Sequence, residues 1–156
     1  MRLIKSPNRW SCLLASAAML LDTELKDLVD EIGHDGSEII WPDSKEPFCR
    51  RAFHIAEIIE LFDKRGFCLT PIECLPRSVP TIDAEPFLVA FEANYQRIIR
   101  HMLAPGILVG YGPNGNPHAA AWNTIRVYDP MGDIYVRDDF TIRTFWKMLT
   151  IRAVSK

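Results

Sequence analysis

Apolar residues fill almost every position from Cys12 to Leu21, then thin into stripes, and further on give way to alternation. The first run, CLLASAAMLL, consists of good helix formers and is apolar nearly all round, which predicts a buried central helix. Pro7 and the polar residues after it argue against an earlier start, and Ser11 is the expected N-cap. Asp22 or Thr23 is expected to cap a second, amphipathic helix through Leu25, Leu28, Val29 and Ile32, with Gly33 as its stop. His34 to Phe48 reads as a long loop containing Gly36, Pro42 and Pro47, of the length that is often functional. A third helix is expected from about His54 to Lys64, with Ile55, Ile58, Ile59 and Phe62 on one face and Gly66 beyond it.

After Gly66 the period changes. Phe67–Glu73 reads as a strand, residues 75–85 as a Pro-rich connector, and Pro86–Phe91 as another short strand. Asn94 caps an expected helix through Tyr95, Ile98, Ile99 and Met102, ended by Pro105-Gly106. Strands are then expected at Ile107–Tyr111, His118–Trp122, Ile125–Asp129 and Ile134–Val136, separated by the turns at 112–117 and 130–133. Phe140–Met148 is expected to form a last helix and Thr150–Val154 a terminal strand. Helices first and hairpin-linked strands afterwards indicate the α+β class with a mainly antiparallel sheet. The expected organisation is one domain over 1–156, its helical part to about 66 and its sheet part from about 67.

Composition narrows the function classes. The 156 residues are 48% hydrophobic and 24% charged, as in an ordinary globular protein. A net charge of −2, with basic residues scattered and Arg50-Arg51 the densest pair, gives no phosphate-binding surface, so no nucleic-acid partner is expected. No apolar run is long enough for a bilayer span and Met1–Lys5 lacks the apolar stretch of a signal peptide. A cytoplasmic protein with no membrane partner is the expectation. Cys12, Cys49, Cys68 and Cys74 form no CxxC pair and no zinc spacing, so free thiols are expected, without a metal.

Cys12 has a special setting. At the first turn of a helix, unpaired N–H groups and the macrodipole favour negative charge, giving a thiol the thiolate character that a nucleophile needs. The other reading is a small buried hydrophobe. His118 and Asp129 add weight to the first. If Asn123-Thr124 makes a two-residue turn, His118 stands opposite Asp129, with Cβ atoms ~4.5–5.5 Å apart. A carboxylate then holds one imidazole nitrogen and leaves the other free. The turn is the weak point, since Thr is unfavourable at positive φ and a three-residue loop would turn Asp129 to the other face. Singly, His118 reads as a surface histidine and Asp129 as a turn-initiating Asp. Together with Cys12 they make a nucleophile, a base and an orienter.

These residues resemble a known family. Trp10-Ser11-Cys12-Leu13 with its Ala-rich helix, His118-Ala119-Ala120-Ala121-Trp122, and Val127-Tyr128-Asp129-Pro130-Met131-Gly132 resemble papain-like cysteine peptidases. The closest likeness is to the C39-like, bacteriocin-leader-peptidase-related group of small bacterial and phage proteins, which the stretch Gly33-His34-Asp35-Gly36-Ser37 also resembles. The resemblance implies a helical subdomain packed on an antiparallel sheet, with Cys12 and His118 in the cleft between them. It implies a cysteine hydrolase of peptide, isopeptide or amide bonds using Cys12, His118 and Asp129, needing no cofactor, with a peptide or protein substrate. A phage-encoded member would work in the host cytoplasm. The family's oxyanion-hole Gln, six residues before the nucleophile, is Ser6 here, and Asn8 carries the equivalent amide. Asn8 equally suits a turn after Pro7. Because of that departure, the alternative is an inactive module of the same fold, gripping a partner protein through its cleft or the 34–48 loop.

Trp10, His34, Trp41 and Tyr111 are candidate cleft residues, though core or rim packing is the commoner place for aromatics. His34, Asp35 and Glu38 lack diagnostic metal spacing. His54 and Glu57, three residues apart, read as a helix start beside a surface acid.

Overall fold

The computed structural model describes residues 1–38, 52–73, 96 and 98–151. The expected connector at 75–85, the strand at 86–91, the cap at Asn94, and Trp41, Cys49 and Cys74 lie outside these. Three helices come first: α1 (Cys12–Leu21), α2 (Leu25–Ile32) and α3 (Ile55–Asp63). Strand β1 (Phe67–Glu73) follows, then β2 (Gly106–Tyr111), β3 (Pro117–Trp122), β4 (Val127–Tyr128), β5 (Ile134–Tyr135) and β6 (Thr141–Thr150). A 3-10 turn at Arg137–Asp139 leads into β6. The six strands form one antiparallel sheet in the order β1-β6-β2-β3-β4-β5, so the protein is α+β.

α1 spans the predicted residues, with Leu14 to Met19 buried. Its caps differ from expectation. Ser11 occupies the N-cap position but its hydroxyl makes no cap bond; it donates to Asn8 Oδ1 at 2.7 Å. Asp22, at φ 51°, closes α1 rather than opening α2, whose N-cap is Glu24. α3 starts on a capping box, in which His54 Nδ1 accepts from Ala56 N and Glu57 Oε2 accepts from His54 N at 2.6 Å. That box is the structural content of the His54/Glu57 spacing.

The sheet is buried on both faces. One face, with Ile107, Ala119 and Leu69, packs on Leu14, Ala17 and Ala18 of α1, Leu28 of α2 and Ile58 and Phe62 of α3. The other carries Leu108, Ala120, Trp122, Val127, Ile142 and Phe145 and is covered by Ile98, Met102 and Phe140. Trp122 Nε1 donates to Met102 O at 2.8 Å, fixing that cover. The helical turn around Ile98 thus lies across the sheet from α1–α3, and the helices are not all on one side.

The last expected helix is a strand. Ile142 and Phe145 are three residues apart and share one face, a spacing that imitates a helix. The cause is a bulge: Gly110 pairs with Ile142 but Val109 with Thr144, leaving Arg143 as the extra residue. Thr141, Ile142, Thr144, Phe145 and Trp146 are otherwise strand formers.

The hairpin of β3 and β4 also differs from expectation. Trp122 pairs with Val127, so four residues separate the strands where two were expected. The shift is by two residues, which preserves the face, and Asp129 stays on the His118 side. Asn123 Oδ1 accepts from Ile125 N and Arg126 N, and this bracing holds Thr124 at φ 84°, a strained value for a β-branched residue.

Candidate active site

Cys12 opens α1 where that helix crosses β3. His118 starts β3 and Asp129 follows β4, so neighbouring strands bring them together. His118 Nε2 donates to Asp129 Oδ1 at 2.5 Å, with both side chains largely shielded, 10% and 6% exposed. Nε2 being occupied, Nδ1 is the nitrogen left to face the thiol.

The three groups bias one another's charge. Burial pushes the Cys12 thiol up, but hydrogen bonding and charge from His118, with the backbone at Ala119 and Leu13, bring it below its ordinary value. Burial pushes His118 down, yet Asp129 and Cys12 together raise it to about 9. Burial likewise opposes ionisation of Asp129, and His118, the Met131 N–H and the Tyr135 hydroxyl outweigh it to hold the carboxyl below its usual range. All three shifts act in one direction, favouring thiolate, imidazolium and carboxylate more than in the free groups.

Asn8 has two jobs within its reach. Its Oδ1 accepts from Trp10 N at 3.1 Å and from the Ser11 hydroxyl, making the turn before α1. The side chain also lines the cleft that holds Cys12, and no described partner takes its amide nitrogen. Ser6, at the place of the expected Gln, spends its hydroxyl on Asn8 O at 2.6 Å.

The cleft is open, about 530 Å³, and is lined by Cys12, His118 and Asp129. Asn8 and Arg9, the β2–β3 turn (Gly112, Pro113, Asn114, Asn116, Pro117), Met131, Asp133 and Tyr135 complete its lining. Of the aromatic candidates, Trp10, His34 and Tyr111 do not line it. Trp10 Nε1 donates to Asp35 O at 3.1 Å, and its ring lies close to Gly36, whose φ of 72° suits glycine and where a Cβ would stand a tight 3.1–3.2 Å from Phe53, Ala52 and Trp10. His34 bonds Glu57 Oε1 at 2.9 Å, accepts from Gly36 N and stacks on Phe53. Tyr111 turns to Arg143 at the far edge of β2. These are tethers of the loop and the sheet, which short aromatic-rich motifs do not reveal.

Tyr135, Asp133 and the 112–117 turn are the site residues that pattern reading passes over. Alternation from Asp129 through a tight 130–133 turn was the available signal for Tyr135. The turn itself is pinned: Ser6 N donates to Pro130 O at 2.8 Å, and Asp129 N to Asp133 O at 2.9 Å. Cys12 and Cys68 are free thiols. Among the described residues no group of three His, Cys, Asp or Glu is placed to hold a metal ion, and no helix is long and apolar enough to cross a membrane. The chain matches no protein-family model, and no curated protein matches its sequence.

Proposed function

We propose that the protein is a papain-like, cysteine-dependent hydrolase of a peptide, isopeptide or related amide bond. The observation that carries this reading is the His118–Asp129 bond at 2.5 Å beside a thiol of lowered pKa at a helix start. In the reaction the Cys12 thiolate attacks the substrate carbonyl carbon, and the oxygen takes the negative charge. The Cys12 N–H and the Asn8 amide bind that oxyanion. His118 gives its proton to the leaving amine as the C–N bond breaks, producing a thioester on Cys12. Neutral His118 then takes a proton from water, whose oxygen attacks the thioester and releases the acid and the thiolate. Asp129 keeps the imidazole oriented throughout. A nucleophile that must stay reduced suits a cytoplasmic setting, including a host cytoplasm for a phage-encoded chain. Its C39-like character rests on the motifs around Cys12, His118 and Asp129.

The test is limited alkylation by iodoacetamide. Because His118 holds the thiol below its ordinary value, Cys12 keeps reacting as pH falls toward 6, where an ordinary thiol is protonated. At pH 6, Cys12 in the folded chain should label about tenfold or more faster than in the urea-unfolded chain. Equal rates, joined to no turnover of any peptide or amide library, would give the function to a partner-binding module instead.

Asn8 supplies a second expectation. Asn8→Ala should lower kcat by about 10²-fold with KM little changed, since an oxyanion contact strengthens only in the transition state. Steady-state kinetics decide it. Parent-like kcat would confine Asn8 to its turn.

A further inference from the structure

Asp129 is an ion with little water around it, 4% exposed, and its two oxygens are unequally held. Oδ1 accepts from both His118 Nε2 and Met131 N, the latter at 2.8 Å. Oδ2 accepts from the Tyr135 hydroxyl at 2.7 Å, its one described partner. Hydrogen bonds thus link His118 at the start of β3, Asp129 just past β4 and Tyr135 on β5, which pairs with Val127, in a row. The Tyr135 ring is anchored by packing against the Leu108–Val127–Phe145 cluster. Tyr135 also lines the cleft.

We infer that Tyr135 is a positioning residue for the triad: its hydroxyl fixes the carboxylate plane of Asp129 so that Oδ1 stays aimed at His118. The catalytic consequence rests on the hydrolase reading above; the coupling of Tyr135 to His118 does not. Two bonds to Oδ1 alone leave the carboxylate free to tilt about its Cβ–Cγ bond, and a third bond to Oδ2 removes that freedom. A phenol suits the task. Burial and the nearby Asp129, Asp133 and Asp139 push its ionisation well above the ordinary value, so it remains a donor wherever the carboxylate is charged. The backbone of the acid is already fixed, its N–H donating to Asp133 O and its carbonyl accepting from Gly132 N, which leaves carboxylate rotation as the motion still to be restrained.

Loss of the hydroxyl weakens the His118–Asp129 bond and lets the imidazolium release its proton at lower pH. A purely electronic role gives the opposite sign, because a carboxylate without the phenol is more basic and supports the imidazolium better. The other charged groups around the row stay constant in the comparison: Cys12 on α1, Arg9 and Asp133 lining the cleft, Asp139 near Tyr135, and Lys5, whose stem lies against Gly132.

The experiment is Tyr135→Phe in the full chain, read by NMR titration of His118 and by Cys12 alkylation at pH 6. The His118 midpoint should fall from about 9 by about one pH unit, and alkylation by about tenfold. Where hydrolysis is measurable, kcat should fall and KM hold. In an Asp129→Asn background the same substitution should change neither readout further. An unmoved or raised His118 midpoint overturns the assignment. If Tyr135→Phe does not fold, 3-fluorotyrosine at 135 keeps ring and hydroxyl and alters only donor strength. As a stronger donor it should hold the carboxylate more firmly and raise the His118 midpoint, while an unmoved midpoint, or a lowered one as a purely electronic role gives, overturns the assignment. Both readouts work without substrate, so a parent that hydrolyses nothing ends the hydrolase reading while the Tyr135 assignment is still decided by the titration.

Discussion

Cys12→Ala should leave a folded protein with no turnover, a loss of about 10⁵-fold or more in kcat. The proposed nucleophile has no substitute in this cleft, since His118 is committed to Asp129 and no other described thiol lines it. The fold should be nearly indifferent. Cys12 is half-buried, and deleting one sulfur loses about 1 kcal/mol of burial at most. Part of that is returned, because the variant no longer keeps a charged sulfur away from water. The comparison is of turnover and melting temperature on the same samples. Retained turnover would move the nucleophile elsewhere; a melting temperature lowered by many degrees would make Cys12 a core residue instead. A folded, inactive variant also retains the cleft, and is the natural bait for the substrate.

Gly110→Ala should damage the fold more than any substitution in the site. A Cβ there would stand 2.0 Å from Thr141 O, 3.0 Å from Thr141 C and 3.1 Å from Arg143 N. All three atoms are β6 backbone, which cannot rotate out of the way as a side chain would. β2 would have to part from β6 at the bulge, so the expected cost is about 3 kcal/mol or more. Gly110 also pairs with His118, so turnover should fall with stability. Urea unfolding measures the cost. Gly115→Ala is the control, with no atom within 4 Å of its Cβ and only its φ of 71° to strain. A Gly110 variant as stable as that control would mean the bulge yields.

Helix α1 was legible because its signals agree: Pro7 before it, a run rich in Ala and Leu within it, and polar residues after it. The His118–Asp129 pairing was legible for a less secure reason. The expected register was off by two residues, and an even error keeps side chains on their face. β6 was hidden by the Arg143 bulge, since one extra residue converts alternation into the three-residue step of a helix. Trp10 and His34 were expected in the cleft and lie outside its lining, because their partners Asp35, Glu57 and Phe53 are brought to them by tertiary packing. Tyr135 was missed because two-residue strands carry too little pattern to fix a pairing.

The position of β6 has a consequence for synthesis on the ribosome. Among the described strands, β1 pairs with β6 alone, and β6 lies between β1 and β2. When residues 67–73 emerge, that described partner has not been translated. At ~5–20 residues per second the wait lasts several seconds. Over that interval Leu69 and the flank of α3 have no strand to close against, and a slow, non-local pairing must finish the sheet. Until β6 emerges, β1 therefore presents an unpaired edge of the kind that holding chaperones cover.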